Sequence, residues 1–127
     1  ILPHVGDLTN GRVIEEAYQL NVPPLVTPLS IQPGVLPATQ SFFETDNAAV
    51  MIEAIKPADE GTGIIVRLYE AHGSRGSVTF HTTLPVQTIS RADLLENPIE
   101  QLAMKAGAVV LQVAPFEIIT LRLEAKH

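Results

Sequence analysis

The sequence predicts an all-β protein: an antiparallel β-sandwich with a proline-rich N-terminal extension. From residue 39 onward, short segments alternate apolar and polar residues and are separated by glycine and proline turns. Six of the ten prolines lie before that point, in residues 1–38. A length of 127 residues with a hydrophobic fraction of 46% suits one domain that buries a substantial core.

Residues 1–38 are expected to be a linker or extension from a preceding domain, and residues 39–127 the sandwich. Proline fixes φ and cannot donate a ladder hydrogen bond, so Val22–Pro37 should be an extended, irregular connector. Before it, Gly11–Leu20 is expected to form a short helix with Asn10 as its N-cap. Because this chain starts with Ile1, we expect it to come from a longer polypeptide, although processing would also explain this start.

The predicted strands are short and regularly spaced, which is typical of an antiparallel sandwich. Alternation is clearest around Ile64–Tyr69, where Ile64, Val66 and Leu68 share one face and Ile65, Arg67 and Tyr69 share the other. The predicted strands are Gln40–Glu44, Ala49–Lys56, Gly63–Glu70, Ser77–Thr82, Val86–Ser90, Ala108–Val113 and Glu117–Glu124.

Two glycine-containing turns connect the central strands. Gly61 and Gly63 in the first turn, and Gly73 and Gly76 in the second, are expected to supply positive φ angles where the chain reverses. Both turns are expected to join adjacent strands, which predicts a three-stranded meander across residues 49–82.

Residues 91–105 fit neither the periodicity of a helix nor that of a strand. Ser90 and Asp93 are expected to cap a helical turn, which Asn97-Pro98 should break.

Charge and composition exclude several classes of function. A net charge of −6 opposes binding to nucleic acid or to an anionic membrane, and no apolar run has the length of a membrane span. The chain has no cysteine, no Asn-x-Ser/Thr sequon and no signal-peptide pattern at its start. These features favour a reducing compartment, so we expect a cytoplasmic protein of bacterial or cytosolic origin.

One stretch of the chain has a specific resemblance. The segment KPADEGTGIIVRLYEAHG at Lys56–Gly73 resembles the C-terminal β-domain of the retaining, zinc-dependent α-mannosidases of glycoside hydrolase family 38. Four further segments are similar to that family in the same order: PHVGD at Pro3–Asp7, EAYQLNVP at Glu16–Pro23, DLLE at Asp93–Glu96 and PFEIITLRL at Pro115–Leu123.

The resemblance implies a parent enzyme that hydrolyses α-linked mannosides with an aspartate nucleophile and a zinc ion. Both belong to the family's N-terminal catalytic domain, which no position of this chain matches. The resemblance therefore implies an accessory domain that packs on that catalytic domain, has no catalytic or metal-binding residues and shows no activity by itself.

The residue spacings of metal sites and hydrolytic active sites are also missing from the sequence, which agrees with an accessory domain. The four histidines show no HxH or HExxH spacing, which predicts no metal site. Adjacent acidic pairs such as Asp59/Glu60 are expected to be solvated charges, not the paired carboxyl groups of a glycosidase. Gly73-Ser74-Arg75-Gly76 lacks the GxSxG spacing of a nucleophile elbow.

Two groups of residues are candidates for contact with other molecules. Arg67 and Tyr69 share a strand face that Arg122 is expected to join, and Arg and Tyr are residue types that suit interfaces. We expect these three to form a docking face toward the catalytic domain; the alternative is an outer sheet face on which the arginine stems pack against neighbouring side chains. His72 and Arg75, in the following loop, are the candidates for sugar contact.

Two other functions remain open from sequence. A stand-alone carbohydrate-binding module is one, although the chain has no Trp and its four Phe are expected in the core or at the start of strands. An immunoglobulin-like interaction module with no connection to sugar is the other.

Overall fold

The computed structural model describes residues 3–30 and 33–125. The chain divides into two compact units, Ile1–Thr39 and Gln40–His127. Because they are separate units, each is described by itself.

The first unit contains one helix, α1 (Val13–Asn21), with Glu15 and Glu16 in its first turn. The expectation that Asn10 caps this helix is wrong. The N-cap residue is Arg12, which has φ 51° and makes no side-chain cap. The Asp7 carboxylate accepts from the Asn10 N–H (2.8 Å), which closes a turn before α1 and moves the start of the helix two residues along.

The first unit has little apolar burial within its described residues. α1 buries none of its side chains, and residues 22–30 and 33–39 contain no helix or strand. Large apolar side chains of this unit are exposed, among them Leu20, Leu25, Val26, Leu29 and Val35. Frequent prolines account for the absence of strands, because proline cannot donate a ladder hydrogen bond.

The second unit is a sandwich of two antiparallel sheets, which confirms the predicted all-β fold. The three-stranded sheet has the order β1-β4-β7 and the five-stranded sheet the order β2-β3-β8-β5-β6. The strands are β1 (Phe43–Thr45), β2 (Val50–Pro57), β3 (Ile64–Glu70), β4 (Gly76–Thr82), β5 (Val86–Ala92), β6 (Pro98–Gln101), β7 (Ala108–Val113) and β8 (Ile118–Ala125).

The core lies between the two sheets and follows the period-2 alternation of the strands. In β3, Val66 and Leu68 point inward opposite Leu121 and Ile119 of β8. From the other sheet, Phe80 is fully buried, and its ring stacks on Phe43 with a centroid separation of 6.1 Å. The remaining buried core residues are Val50, Val78, Ile89, Val109, Leu111, Val113 and Leu123.

The meander predicted across residues 49–82 is wrong at its third strand. β2 and β3 pair as predicted, but β4 lies in the other sheet, between β1 and β7. The N–H groups of His72, Gly73 and Ser74 point to the Glu70 carboxylate, and this turns the chain across the core. The glycine prediction holds for Gly73, at φ 71°, and is wrong for Gly76, which has no positive φ and begins β4.

The region between residues 91 and 105 forms strands and a turn in place of a capped helical turn. Ser90 lies inside β5, and Pro98 begins the short edge strand β6. Asp93 does cap a turn: its Oδ1 accepts from the N–H groups of Leu95 and Asn97, each at 2.9 Å. These bonds close a tight loop, and the chain returns antiparallel to β5.

Replacing Phe80 with alanine tests the core. Phe80→Ala removes a fully buried ring and should lower the free energy of unfolding by about 3–5 kcal/mol. Val110→Ala is the matched control, because Val110 on β7 is largely exposed and its truncation should change stability by less than about 0.5 kcal/mol. Chemical denaturation of the 127-residue chain measures both values. An equal loss of unfolding free energy in the two variants would contradict the position of Phe80 in the core.

Candidate functional site

A buried carboxylate organises one end of the five-stranded sheet. Glu70, the last residue of β3, is 1% exposed. Its Oε1 accepts from the N–H groups of His72 (3.1 Å) and Ser74 (3.0 Å) and from the Ser74 hydroxyl (2.7 Å). Its Oε2 accepts from the N–H groups of Gly73 (2.8 Å) and Phe116 (2.9 Å). One side chain therefore joins the loop after β3 to the turn before β8.

The environment of Glu70 keeps it ionised. Burial alone raises the pKa, because it disfavours the charged form. The hydrogen bonds from Phe116, Ser74 and His72 outweigh burial and lower the pKa from 4.5 to about 2. A glycosidase acid needs a raised pKa, so this carboxylate is suited to holding loops and not to donating a proton.

The two loops joined by Glu70 also contact each other directly. Gly73 has φ 71°, and a Cβ at this position would lie 2.9 Å from the Phe116 ring. Only glycine fits there without a shift of that ring. Phe116 itself adopts φ 58°, and its side chain is 61% exposed.

The turn before β8 has a second carboxylate of its own. Glu117 Oε2 accepts from the Ala114 N–H at 2.8 Å, and Oε1 pairs with the Arg91 guanidinium. The turn around Phe116 is therefore fixed at two points, because the Phe116 N–H donates to Glu70 and the Ala114 N–H donates to Glu117.

Both residues predicted to contact sugar lie on the Glu70-bound loop. The His72 N–H donates to Glu70, and His72 is half-buried. Arg75 is exposed and makes no hydrogen bond or ion pair with any residue in the described ranges. The loop thus presents a free guanidinium from a backbone that Glu70 holds in place.

A second buried carboxylate, Glu96, lies on the face of the five-stranded sheet that points away from the core. Glu96 is 4% exposed and has φ 72°. It pairs with Lys56 Nζ at 2.6 Å and accepts from the Asp59 N–H at 2.8 Å, while Arg67 Nη2 lies 3.7 Å away. The Lys56 hydrogen bond and then the Asp59 N–H lower the pKa of Glu96. These contacts hold the Asp93–Asn97 turn against the β2–β3 hairpin.

The predicted docking residues Arg67, Tyr69 and Arg122 share this outer face. β3 pairs with β8 so that Ile65 is opposite Arg122 and Tyr69 is opposite Ile118. Ile65 is 1% exposed although it lies outside the core cluster, so part of the outer face is covered by the chain itself.

Both arginines bind backbone carbonyls of the covering loops. Arg67 Nη2 donates to the Leu94 carbonyl at 3.2 Å. Arg122 Nη2 donates to the Glu60 carbonyl at 2.9 Å. Their guanidinium groups therefore brace the loops, whereas the half-buried Tyr69 side chain makes no hydrogen bond with any residue in the described ranges.

The structural roles of Glu70, Glu96 and Phe116 were not predicted from the sequence. For Glu70 a signal was present, because an acidic residue that ends an apolar strand just before a glycine loop is suited to bind loop N–H groups. For Glu96 and Phe116 the partners are 26 to 46 residues away, so no local pattern marks them.

Within residues 3–30 and 33–125, no group of three or more His, Asp or Glu side chains is placed to hold a metal ion. A cleft of about 290 Å³ lies beside the start of β5, but only apolar residues and glycine line it, so it lacks polar groups to orient a sugar. No helix in the described part of the chain is long and apolar enough to cross a membrane.

These features define a β-sandwich domain whose buried carboxylates hold loops. Residues 49–121 match the family model of the glycosyl hydrolases family 38 C-terminal beta sandwich domain. The chain belongs to this family, as the resemblance at Lys56–Gly73 predicted.

Similar proteins carry α-mannosidase names. The chain is 38% identical to alpha-mannosidase 2C1 of Mus musculus and 36% identical to alpha-mannosidase 2C1 of Homo sapiens, in each case over 97% of the chain. It is 32% identical to alpha-mannosidase G of Dictyostelium discoideum over 96% of the chain. In all three comparisons, the matched region is 12% of the relative's length.

Replacing Glu70 with glutamine tests the loop anchor. In the variant, an amide NH₂ takes the place of one carboxylate oxygen and cannot accept the two or three hydrogen bonds made to that oxygen. Glu70→Gln should therefore lower the free energy of unfolding by about 2–4 kcal/mol. Because the folded-state pKa is below the unfolded value, Glu70 stabilises the fold above pH 4.5, and this contribution is lost as the pH falls toward about 2. Denaturation curves across that range should therefore show a smaller loss of stability in the variant than in the wild type.

Glu44→Gln is the control for this experiment, because Glu44 is exposed on β1. It should leave both the stability and its pH dependence nearly unchanged. If Glu70→Gln behaves like Glu44→Gln, Glu70 does not anchor the loops.

Proposed function

We propose that this chain is the non-catalytic C-terminal accessory domain of a retaining, zinc-dependent α-mannosidase that hydrolyses α-linked mannosides. The observation that carries the proposal is the family membership, together with relatives that are named α-mannosidases and are about eight times as long as the matched region. In this proposal, residues 1–38 are the extension from a preceding domain and residues 39–127 are the accessory domain.

The chemistry of the buried carboxylates supports a structural role for this domain. The Glu70 oxygens are occupied by five hydrogen bonds, and those of Glu96 by Lys56 and the Asp59 N–H. Both pKa values are lowered, which is the opposite of what an acid catalyst needs. We assign catalysis to the preceding part of the polypeptide.

Zinc is assigned to that catalytic part as well. The residues described here do not fit a zinc site, because they include no cluster of three or more ligands and their buried carboxylates already bind N–H and ammonium donors. No step of the reaction is assigned to this domain. A cytoplasmic location stays a prediction from the sequence.

The partner of the domain is proposed to be the N-terminal catalytic domain of the same polypeptide. Arg67, Tyr69 and Arg122 are proposed to form the docking face, with the arginines shaping it through the loops they hold and Tyr69 contributing its ring. The exposed apolar side chains of residues 3–30 and 33–39 support the same partner, because this segment buries little apolar surface of its own.

Purification of the native polypeptide that contains these residues tests the function. We expect a polypeptide far larger than 13.7 kDa that hydrolyses 4-nitrophenyl α-mannoside. Activity should be lost on chelation and restored by zinc, and NMR should show that the product keeps the anomeric configuration. Residues 40–127 alone should show no hydrolysis. A native polypeptide near 13.7 kDa, or a large one without mannosidase activity, would contradict the proposal.

His72 and Arg75 are proposed to contact the sugar in that enzyme. Arg75→Ala should then raise KM several-fold with little change in thermal stability, because Arg75 is exposed and has no partner within the described ranges. Lys105→Ala is the control, since Lys105 is an exposed cation on the turn before β7. Steady-state kinetics on an α-mannoside measures both. An unchanged KM for Arg75→Ala would remove Arg75 from the substrate site.

A further inference from the structure

Near the Glu70 end of the five-stranded sheet, the outer face carries a row of apolar side chains. Tyr69 of β3 is paired with Met51 of β2 on one side and with Ile118 of β8 on the other. Residues directly opposite each other in an antiparallel sheet share a face and contact one another. Ile118 is 55% exposed, so the chain's own loops leave this row open on the β8 side.

Phe116 lies at the same end, two residues before Ile118. A positive φ in a bulky residue is strained and persists only where the surroundings enforce it. Here, the Phe116 N–H is bound to the buried Glu70, and Gly73 leaves room for the ring. The result is an aromatic side chain that is 61% exposed on a rigid turn. A rigid exposed aromatic is suited to fill a pocket on a partner, because little entropy is lost when it binds.

Beside this patch, two carboxylates are bound internally and one exposed cation is not paired with any described residue. Glu70 and Glu117 are held internally, Glu70 by N–H and hydroxyl donors and Glu117 by Arg91 and the Ala114 N–H. Arg75 on the adjoining loop is exposed and has no ion pair among the described residues. An apolar centre with a cationic edge fits a partner surface that has an apolar pocket edged by carboxylates or carbonyls.

We propose that Phe116 is the anchor of the interface between this domain and the preceding part of an α-mannosidase polypeptide, with the Met51–Tyr69–Ile118 row as its flank. The inference rests on the proposed function. The partner surface is assigned to the preceding part of the polypeptide because the matched region is only 12% of the length of its relatives. Most of such a polypeptide therefore lies outside this chain. Glu70 is then a positioning residue, which sets the angle at which the ring meets its pocket.

Hydroxyl-radical footprinting of the full-length native polypeptide tests the interface directly. Phe42 is the internal control, because it is also a phenylalanine and is 41% exposed. Exposure in this chain alone would make Phe116 the more reactive of the two. We expect Phe116 to be oxidised several-fold more slowly than Phe42, with Met51 and Tyr69 protected as well.

Reaction of Phe116 at or above the rate of Phe42 would overturn the inference. Protection that disappears on dilution would also overturn it, in favour of a second copy of the chain as the occupant. The proposed function is judged separately by mannosidase activity of the same sample. An active enzyme with an unprotected Phe116 would refute the role of Phe116 as an anchor and leave the proposed function intact.

Variants of the full-length enzyme provide a second measurement. Phe116→Gly removes the ring and also relieves the positive φ, so a purely local role predicts little loss. Loss of an anchor should instead shorten the half-life of mannosidase activity at elevated temperature by about tenfold or more. Phe42→Ala is the control and should shorten it much less. Equal half-lives for Phe116→Gly and the wild-type enzyme would contradict the role as an anchor.

Discussion

The Glu70 carboxylate is the interaction on which the arrangement of the sandwich depends. It receives five hydrogen bonds from three consecutive loop residues and from a turn that is distant in sequence. These bonds end β3 and direct the chain from the five-stranded sheet to the three-stranded one. Because hydrogen bonds to an ionised acceptor are about twice as strong as neutral ones, the lowered pKa and the fixed loop have one cause.

Glu96 plays a similar role on the outer face of the five-stranded sheet. Its carboxylate joins the turn before β6 to the β2–β3 hairpin through Lys56 and the Asp59 N–H. Arg67 and Arg122 complete the contact by binding carbonyls of the two loops. The loops of this domain are thus shaped by buried charge, while Arg75 and Phe116 are exposed at its surface.

The sequence predicts what depends on local pattern. Alternation in β3 correctly separated Val66 and Leu68, which lie in the core, from Arg67 and Tyr69 on the other face, because side chains of a strand alternate between its faces. The same pattern cannot say which sheet a strand joins, and β4 was therefore placed beside β3 in error. Asn10 was expected to cap α1 because of its residue type, but Asp7 closes the preceding turn. The exposure of Phe116 also depends on tertiary contacts, through Glu70 and Gly73.

The ionisation of Glu70 decides whether this carboxylate holds the two loops together. Carboxyl-carbon NMR of the 127-residue chain, followed from neutral pH to acid, measures its pKa directly. If Glu70 anchors the loops, its carboxyl group stays ionised until the pH approaches about 2, and the amide signals of Gly73 and Phe116 change together with it. A titration midpoint near 4.5, with no response from those amides, would show that the loops are held in another way.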